Sequence, residues 1–494
     1  MTENTKKVGF LGLVAIVLGS MLGGGVFNLP SNMAEDAALG AVIIAWIITA
    51  IGMYFLAQTF KTLSDKRPDL SSGIYSYAAE GFGKYVGFNS AWGYWLSAAI
   101  GNVSFAVLLM QALGYFFPIF ISGNNWQSIV GGSILIWGMN ILVRRGVSGA
   151  AILNVISTIA KLVPLFLFVI VLLIMSKWDK LSFDFWGRQA GDLGNLQAQI
   201  KSTMLVTLWA FVGIEGAVVI SGRAKNKKDV GRATFIGFLG AILIYAAISI
   251  FSFGVLSQQE LAKLPDPSTA YVMEAMVGKW GAVVLNLGVI ISILGAWLAW
   301  TIMTSEVPST AAQMGVLPSV LGKLNKNGSP AVALTFTSVI MQITLLFSAF
   351  EKNAFLAIIS VSGSMILIPY VLSALFLFIQ GSGKNHPKFP ASSRKRAIVV
   401  GAIASLYGFW LIYAAGLKYI LLSTILYAIG IFVFRKAWKE SRAQEPLLLG
   451  YEKIIAVIIT LLAVVSIGSM ISGILPVEQF VHWFKHHIVD FSKL

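Results

Sequence analysis

Long apolar runs recur along the whole chain, and each is close to the ~20 residues that an α-helix needs to cross a bilayer about 30 Å thick. Thirteen such runs cover residues 9–31, 39–60, 86–112, 126–143, 150–175, 202–221, 233–256, 280–304, 330–349, 354–379, 397–416, 419–434 and 454–475. Helices are expected because a membrane barrel would show alternating segments of about ten residues instead of continuous apolar blocks. The sequence therefore predicts an all-α polytopic membrane protein with twelve core transmembrane helices and a thirteenth after a basic connector.

The composition excludes an ordinary soluble protein, because 57% of the residues are hydrophobic and 12% are charged. The first run continues into Pro30 without a small-residue cleavage site, so it is expected to be retained as a span. Basic residues, which give a net charge of +15, concentrate in alternate connections such as 223–232, 384–396 and 435–453. The positive-inside rule then predicts a cytoplasmic N-terminus, an extracellular C-terminus and a plasma-membrane location, with the lipid bilayer and no nucleic acid as partner.

Reactive side chains are scarce, which argues against an enzyme. The chain has no cysteine, and its four histidines fall in a predicted loop or in the tail, at His386, His482, His486 and His487. A metal site built from the last three is a minor alternative to the prediction of no metal and no cofactor. No histidine, cysteine or paired carboxylates converge within the predicted spans.

Two predicted spans are interrupted by small residues. Residues 19–27 read GSMLGGGVF in the first span, and residues 209–217 read WAFVGIEGA in the sixth, five spans later. Glycine lets a helix unwind, and unwound backbone within a membrane is tolerated where it lines a cavity. Paired breaks in corresponding spans are typical of transporters built from inverted repeats. The alternative is that these glycines only allow close helix packing.

The two breaks supply the groups that would recognise an amino acid backbone. Free N–H groups at Gly23, Gly24 and Gly25 would carry a partial positive charge suited to a carboxylate. Carbonyl groups near Gly19 and in residues 210–212 would accept hydrogen bonds from an ammonium group. The breaks therefore predict a binding cavity for an amino acid.

Ionisable residues inside spans are costly and mark candidate functional positions. Glu215 follows the second break and suggests a gate or a proton-sensitive switch, with a structural carboxylate as the alternative. Lys161 in the fifth span suggests an ammonium group that replaces a sodium ion, with a snorkelling lysine as the alternative. Trp209 and Trp300 could hold a cationic side chain between them, at ~0.5–2 kcal/mol for each cation–π contact.

Three segments resemble the basic amino acid/polyamine antiporters of the APC superfamily. GSMLGGGVFNLP resembles the first-span motif of that family, LWAFVGIEGAVVISGRAKNKKDVGRAT its sixth span and following loop, and GVLPSVLGKLNKNGSP its loop after span 8. The resemblance runs from residue 6 to about residue 440, and it is strongest to the arginine/ornithine exchangers. It implies a LeuT-like five-plus-five inverted repeat. The chain then divides into a first repeat at 1–175, a second repeat at 176–380, spans 11 and 12 at 381–440, and a thirteenth span with an amphipathic tail at 441–494.

The resemblance also implies roles for individual residues. Trp209 would cover the substrate, Trp300 would be the corresponding span-8 tryptophan, and Asn102 would contact the distal end of the substrate. The implied substrate-binding set is Ser20, Met21, Gly23, Gly24, Gly25, Ala98, Asn102, Trp209, Ala210, Phe211, Trp300 and Ser362. The implied gates are Trp209 and Trp300 near the substrate and a distal set of Tyr94, Glu215 and Tyr370. Lys161 matches relatives that place a lysine beside the first-span break and need no sodium.

The predicted function is an antiporter that exchanges external L-arginine for internal L-ornithine by alternating access. Exchange of another amino acid with its decarboxylation product stays open, including histidine for histamine, lysine for cadaverine and arginine for agmatine. A proton-coupled amino acid permease is a further alternative. A cation channel is disfavoured because the spans contain no acidic ring. Both a monomer and a homodimer are compatible with the sequence.

Overall fold

Helices make up most of the part of the chain that the structure describes. A computed structural model describes residues 10, 14, 18, 21–70, 74–146, 150–189, 193–214, 227–383, 389, 391–441 and 446–472. Within these ranges only helices, turns and loops occur, with no strand. The predicted all-α class is confirmed for these residues, whereas the tail with its three histidines and its expected amphipathic helix lies outside them.

The helices follow one another with short connections. In chain order they are α1 (Leu29–Ala34), α2 (Leu39–Lys66), α3 (Ile74–Phe82), α4 (Lys84–Gly114), α5 (Trp126–Arg144), α6 (Ala150–Met175), α7 (Trp178–Ser182), α8 (Leu196–Ala210), α9 (Lys227–Ser252), α10 (Gln258–Ala262), α11 (Ser268–Val277), α12 (Lys279–Gln313), α13 (Ala331–Ser348), α14 (Ala354–Ser382), α15 (Arg394–Ser441) and α16 (Gly450–Ile471). A 3₁₀ helix at Gly24–Asn28 runs directly into α1.

Nine helices of the described chain are long and apolar enough to cross a membrane: α2, α4, α5, the 232–252 part of α9, α12, α13, α14, α15 and α16. The two predicted spans at 397–416 and 419–434 both lie within α15, and the non-helical backbone of Gly416, with a φ of 76°, divides α15 into two helical parts where the first span ends. Glycine adopts this left-handed conformation at little cost. The protein is thus a multi-pass membrane protein, and the division into twelve spans plus one stays a prediction.

α4 is the central helix of the bundle, since 89% of its most apolar window is buried inside the protein. It packs against α14, α12 and α13 on different sides. α16 lies at the edge, because only 17% of its apolar window is buried. A helix that is apolar all round suits the centre of a bundle or contact with lipid, and these two helices illustrate both cases.

A buried carboxylate attaches the peripheral α16 to the central α4. Glu452 is 2% exposed, and its Oε1 accepts a hydrogen bond from the backbone N–H of Tyr85 at 2.9 Å. Its Oε2 accepts from the N–H of Leu449 at 2.9 Å. Gly83, just before α4, has a φ of 95°, and a Cβ there would lie 2.5 Å from Glu452 Oε1. Glu452 therefore caps the first turn of α4 from another helix.

We expect Glu452→Ala to destabilise the protein by about 1–3 kcal/mol, because the buried Tyr85 N–H would lose a charged acceptor. The midpoint of thermal unfolding in detergent measures this effect. Glu440→Ala is the matched control, since Glu440 is exposed and also accepts from a backbone N–H, that of Ser319 at 2.7 Å. Equal midpoints for the two variants would show that the contact between α16 and α4 contributes little.

Candidate functional site

The first predicted break is present at Leu22 and Gly23. Met21 is still helical, Gly23 is extended at φ −83° and ψ −166°, and the 3₁₀ helix Gly24–Asn28 follows. The Gly23 N–H turns back to the Met21 carbonyl at 2.7 Å. It is therefore already engaged, and the first N–H groups of the 3₁₀ helix, on Gly24 and Gly25, are the donors left for a ligand.

None of the three glycines of this break has a left-handed φ, and the φ of −83° at Gly23 is open to any residue, which differs from the expected reason for the glycines. A Cβ on Gly23 would meet only the Met21 carbonyl oxygen at 3.9 Å, whereas Gly24 and Gly25 have close neighbours. A Cβ on Gly24 would lie 3.1 Å from Leu108 Cδ2, and one on Gly25 would lie 3.2 Å from Trp209 Cδ1. Small residues thus let α4 and the Trp209 ring approach the broken backbone.

The second predicted break is present where α8 ends at Ala210. Residues 211–214 form a turn, and the Ile214 N–H donates to the Phe211 carbonyl at 3.1 Å. The Ala210 carbonyl consequently loses the partner that a continuous helix would give it. Gly213 has a φ of 100°, so here a glycine is needed for the backbone conformation itself.

A pocket lies between the two breaks and brings together most of the predicted site. Its predicted lining residues are Met21, Gly23, Gly24, Gly25, Ala98, Asn102, Trp209, Ala210 and Trp300. Val212, which was expected to offer a carbonyl group, also lines it, together with Val26, Gly101, Ser104, Phe105 and Tyr245, which were not expected. The described part of its wall holds backbone, small and aromatic groups and no acidic side chain.

The Trp209 ring crosses the pocket from the second break to α4. Its Cη2 atom lies 2.1 Å from the position of a Cβ on Gly101, so only glycine fits beneath the ring. Trp300 lies beside the second break, with its Cζ2 atom 3.5 Å from the Cβ position of Gly213. Trp297 is fully buried and does not line the pocket. The two pocket tryptophans therefore contact both breaks and α4.

Asn102 offers the pocket an unused hydrogen-bond acceptor. The residue is 2% exposed, and its Nδ2 donates weakly to Thr301 Oγ1 at 3.4 Å. Its Oδ1 has no partner within the described residues. A buried acceptor without a partner is costly, so a ligand donor that reached Asn102 Oδ1 would be stabilised.

Several predicted residues do not line the pocket. Phe211 is buried beside Tyr245, with ring centroids 5.2 Å apart, and Ser362 Oγ donates to the Ser97 carbonyl at 2.6 Å behind the wall. Tyr94 is half-buried on α4, and the Tyr370 ring packs on Phe60 at 5.4 Å. Lys161 is buried in α6. Ser20 and Glu215 lie outside the described residues, so the distal set of Tyr94, Glu215 and Tyr370 stays a prediction.

Tyr245 is a pocket residue that no sequence motif singled out. Its hydroxyl lies 2.5 Å from the Met21 carbonyl oxygen and 2.8 Å from the Ala210 carbonyl oxygen. The only sequence signal is one tyrosine in the apolar run of residues 241–248. Its contact with both breaks appears only when residues 224 and 35 positions apart are brought together in space.

The connection between α9 and α12 packs against α1 and the end of the 3₁₀ helix, which follow the first break. Ser31 of α1 donates from its backbone N–H to Ser268 Oγ at 3.1 Å and from its Oγ to Asp266 Oδ1 at 3.0 Å. Thr269 Oγ1 donates to the Phe27 carbonyl at 3.0 Å. Burial raises the pKa of the Asp266 carboxyl to about 7, helped by nearby Glu35 and opposed by its hydrogen bonds to Ser31 and Gln111.

Known proteins resemble this chain along most of its length. A family model described as amino acid permease matches residues 8–434. The arginine/agmatine antiporter of Chlamydia pneumoniae is 46% identical over 477 residues, which are 96% of this chain and 98% of that protein. The arginine/agmatine antiporter of Chlamydia caviae is 47% identical over 470 residues, which are 94% of this chain and 97% of that protein. The arginine/agmatine antiporter of Chlamydia trachomatis serovar L2 is 48% identical over 429 residues, which are 86% of this chain and 89% of that protein.

The described residues contain no group of three or more histidine, cysteine, aspartate or glutamate side chains that could hold a metal ion.

The folded protein should become more stable as the pH falls, because burial disfavours the ionised form of the Asp266 carboxyl. Because the pKa of the folded carboxyl is about 7 and that of an unfolded aspartate is about 3.9, only the folded state takes up a proton between these values. We expect about 2–3 kcal/mol more stability at about pH 5 than at about pH 8 from this group.

Asp266→Asn keeps an acceptor for Ser31 but cannot ionise. We expect this variant to unfold at a higher temperature than the wild type at about pH 8 and at the same temperature at about pH 5. Asp179→Asn, at an exposed position, is the control, and its unfolding temperature should differ from that of the wild type by the same amount at both pH values. If the difference in unfolding temperature between Asp266→Asn and the wild type were also the same at both pH values, the prediction would be contradicted.

Proposed function

This chain belongs to the amino acid permease family, and from that premise we propose that it exchanges external L-arginine for an internal product of arginine metabolism. The family consists of transporters, so the chain is not an enzyme. Agmatine is the first candidate for the exported product, because the Chlamydia relatives are arginine/agmatine antiporters and are 46–48% identical to it. L-ornithine is the second candidate, because the sequence motifs resemble that branch of the family.

The single observation that carries the proposal is the pocket between the two breaks. The substrate carboxylate would accept hydrogen bonds from the N–H groups of Gly24 and Gly25 at the start of the 3₁₀ helix. Its α-ammonium would donate to carbonyl groups freed by the breaks, such as that of Ala210. The pocket thus offers complementary groups for the backbone of an amino acid.

The guanidinium group of arginine would lie at the other end of the pocket. Asn102 Oδ1 is a free acceptor there, and the faces of Trp209 and Trp300 would attract a cation by ~0.5–2 kcal/mol each. Agmatine keeps the guanidinium and loses the carboxylate. A pocket whose described wall contains no acidic side chain can therefore accept both substrates in turn.

Alternating access would follow from movements around this pocket. In the proposed five-plus-five repeat, Trp209 closes over the substrate, and Tyr94, Glu215 and Tyr370 form the second gate. Lys161 would provide an ammonium beside the first break in place of a cation. With a cytoplasmic N-terminus in the plasma membrane, the connection that carries Asp266 faces outward and covers the entrance.

Charge transfer distinguishes the two candidate products. Near neutral pH arginine and ornithine each carry one net positive charge, whereas agmatine carries two. We expect uptake of labelled arginine into proteoliposomes loaded with agmatine to move one net positive charge outward per cycle. An inside-negative potassium diffusion potential should then slow uptake, and an inside-positive potential should accelerate it. Ornithine-loaded vesicles should show exchange that is indifferent to the potential if ornithine is the product.

Vesicles loaded with histamine, with cadaverine or with buffer alone complete this experiment. Stimulation by histamine or cadaverine, tested with labelled histidine or lysine, would identify a different pair. Arginine uptake into empty vesicles that an external acid pH accelerates would identify a proton-coupled permease and would overturn the exchange mechanism.

Gly101→Ala tests the placement of the Trp209 ring over the pocket. The added methyl group would lie 2.1 Å from Trp209 Cη2, so the ring must move from its position. We expect the exchange rate to fall at least about tenfold, equivalent to ~1.4 kcal/mol in the barrier. Gly138→Ala is the matched control, because a Cβ at that helical glycine of α5 meets nothing within 4 Å. Exchange at the wild-type rate by Gly101→Ala would show that the observed position of the ring is not the one used in transport.

A further inference from the structure

A groove of about 530 Å³ lies on the outside of the bundle, between α2 and the first part of α15. It shares no lining residue with the pocket between the two breaks. It is lined by Tyr54, Phe55 and Gln58 of α2 and by Lys395, Arg396, Val399 and Val400 of α15. The proposed exchange leaves this concave surface without a role.

The two ends of the groove differ in chemistry. Lys395 and Arg396 form one end, and both are exposed. One turn further along α15 the lining is apolar: Val399 is 54% exposed, whereas Val400 is 5% exposed and packs with Phe55 in a buried apolar cluster. A complementary ligand therefore carries a negative charge at one end and an apolar portion at the other.

Helix geometry places the basic end at the edge of the hydrocarbon layer. The roughly 20 residues from Arg396 to Gly416, where α15 is divided, rise by about 30 Å, which matches the apolar thickness of a bilayer. From Leu39, where α2 begins, to Gln58 the rise is about 29 Å. Arg396 Nη2 donates to Gln58 Oε1 at 2.9 Å, so both helices reach this edge at the same level.

The positive charge at this end is not neutralised by neighbouring side chains. Among the residues that the structure describes, no carboxylate forms an ion pair with Lys395 or Arg396. Lys61 follows Gln58 by one turn of α2, and the anionic Asp65 follows one turn later. Arg396 has five N–H donors, so its bond to Gln58 leaves others for an anion.

We propose that this groove binds an anionic phospholipid. The phosphate lies between Lys395 and Arg396, where charge-assisted hydrogen bonds hold it, and an acyl chain follows Val399 and Tyr54. With the cytoplasmic N-terminus that the positive-inside rule predicts, the groove opens to the leaflet in which anionic lipids concentrate. Because α2 and α15 both pack against α8, a lipid that bridges them stabilises the folded bundle.

Lipid titration of the purified protein in detergent tests the proposal. The unfolding temperature is recorded with phosphatidylglycerol or with phosphatidylcholine of the same acyl chains. We expect half of the maximal rise at a phosphatidylglycerol concentration at least about tenfold lower than that of phosphatidylcholine. Lys395→Gln/Arg396→Gln should abolish this preference. Inorganic phosphate lacks the acyl chain and should give no rise, so an equal rise with phosphate alone would overturn the lipid assignment.

Arg144→Gln/Arg145→Gln is the matched control. These two arginines are also adjacent and exposed at a helix end, that of α5, and they do not line the groove. Basic residues at helix ends commonly act only as topological anchors. The control variant should therefore keep the preference of the wild type for phosphatidylglycerol. An equal loss in both double variants would show attraction by overall surface charge and would overturn the proposal.

Val399→Trp tests the apolar end while both cations remain. We expect the added ring to fill the groove and to raise the phosphatidylglycerol concentration that gives half of the maximal rise. Leu406→Trp, at a 69% exposed position two turns further along α15, is its control and should respond like the wild type. An unchanged response of Val399→Trp would overturn the placement of the acyl chain. These measurements report lipid binding and are independent of whether the protein exchanges arginine.

Discussion

A backbone N–H or C=O group without a partner costs several kcal/mol in an apolar surrounding, and this chain breaks two helices inside such a surrounding. Around the breaks, backbone N–H and C=O groups either form hydrogen bonds with nearby residues or lie at the pocket. The Gly23 N–H returns to Met21, the Ile214 N–H returns to Phe211, and the Thr269 hydroxyl reaches the carbonyl of Phe27. The groups that remain define what the pocket can bind.

The broken helices need a rigid partner if their free groups are to stay in place. α4 supplies it, because it is buried on almost all sides and carries Gly101 and Asn102 on the face toward the breaks. Its first turn is capped by Glu452 of α16, 367 residues along the chain from Tyr85. The peripheral helix α16 is thus connected through one carboxylate to the helix that forms the pocket wall.

The sequence predicts the breaks well, because glycine clusters in long apolar runs leave few alternatives. The family resemblance of the sequence also implies a pocket position for Trp300, which lines the pocket. The sequence does not predict Tyr245, Asp266 or Glu452, since each acts through a partner that only the tertiary fold brings close. It also suggests a wrong reason for the glycines at 24 and 25, whose role is to admit neighbouring side chains and not to free the backbone.

An exchanger must bind two substrates in one site and release both. A buried carboxylate would hold a doubly charged amine such as agmatine much more tightly than singly charged arginine, because its Coulomb attraction grows with the charge of the ligand. The described pocket is lined instead by backbone groups, the Asn102 amide and the tryptophan rings. In the proposed exchange, these neutral groups would offset part of the cost of removing a cation from water and would keep the two affinities closer. The absence of an acidic side chain from the described wall thus favours exchange over tight binding.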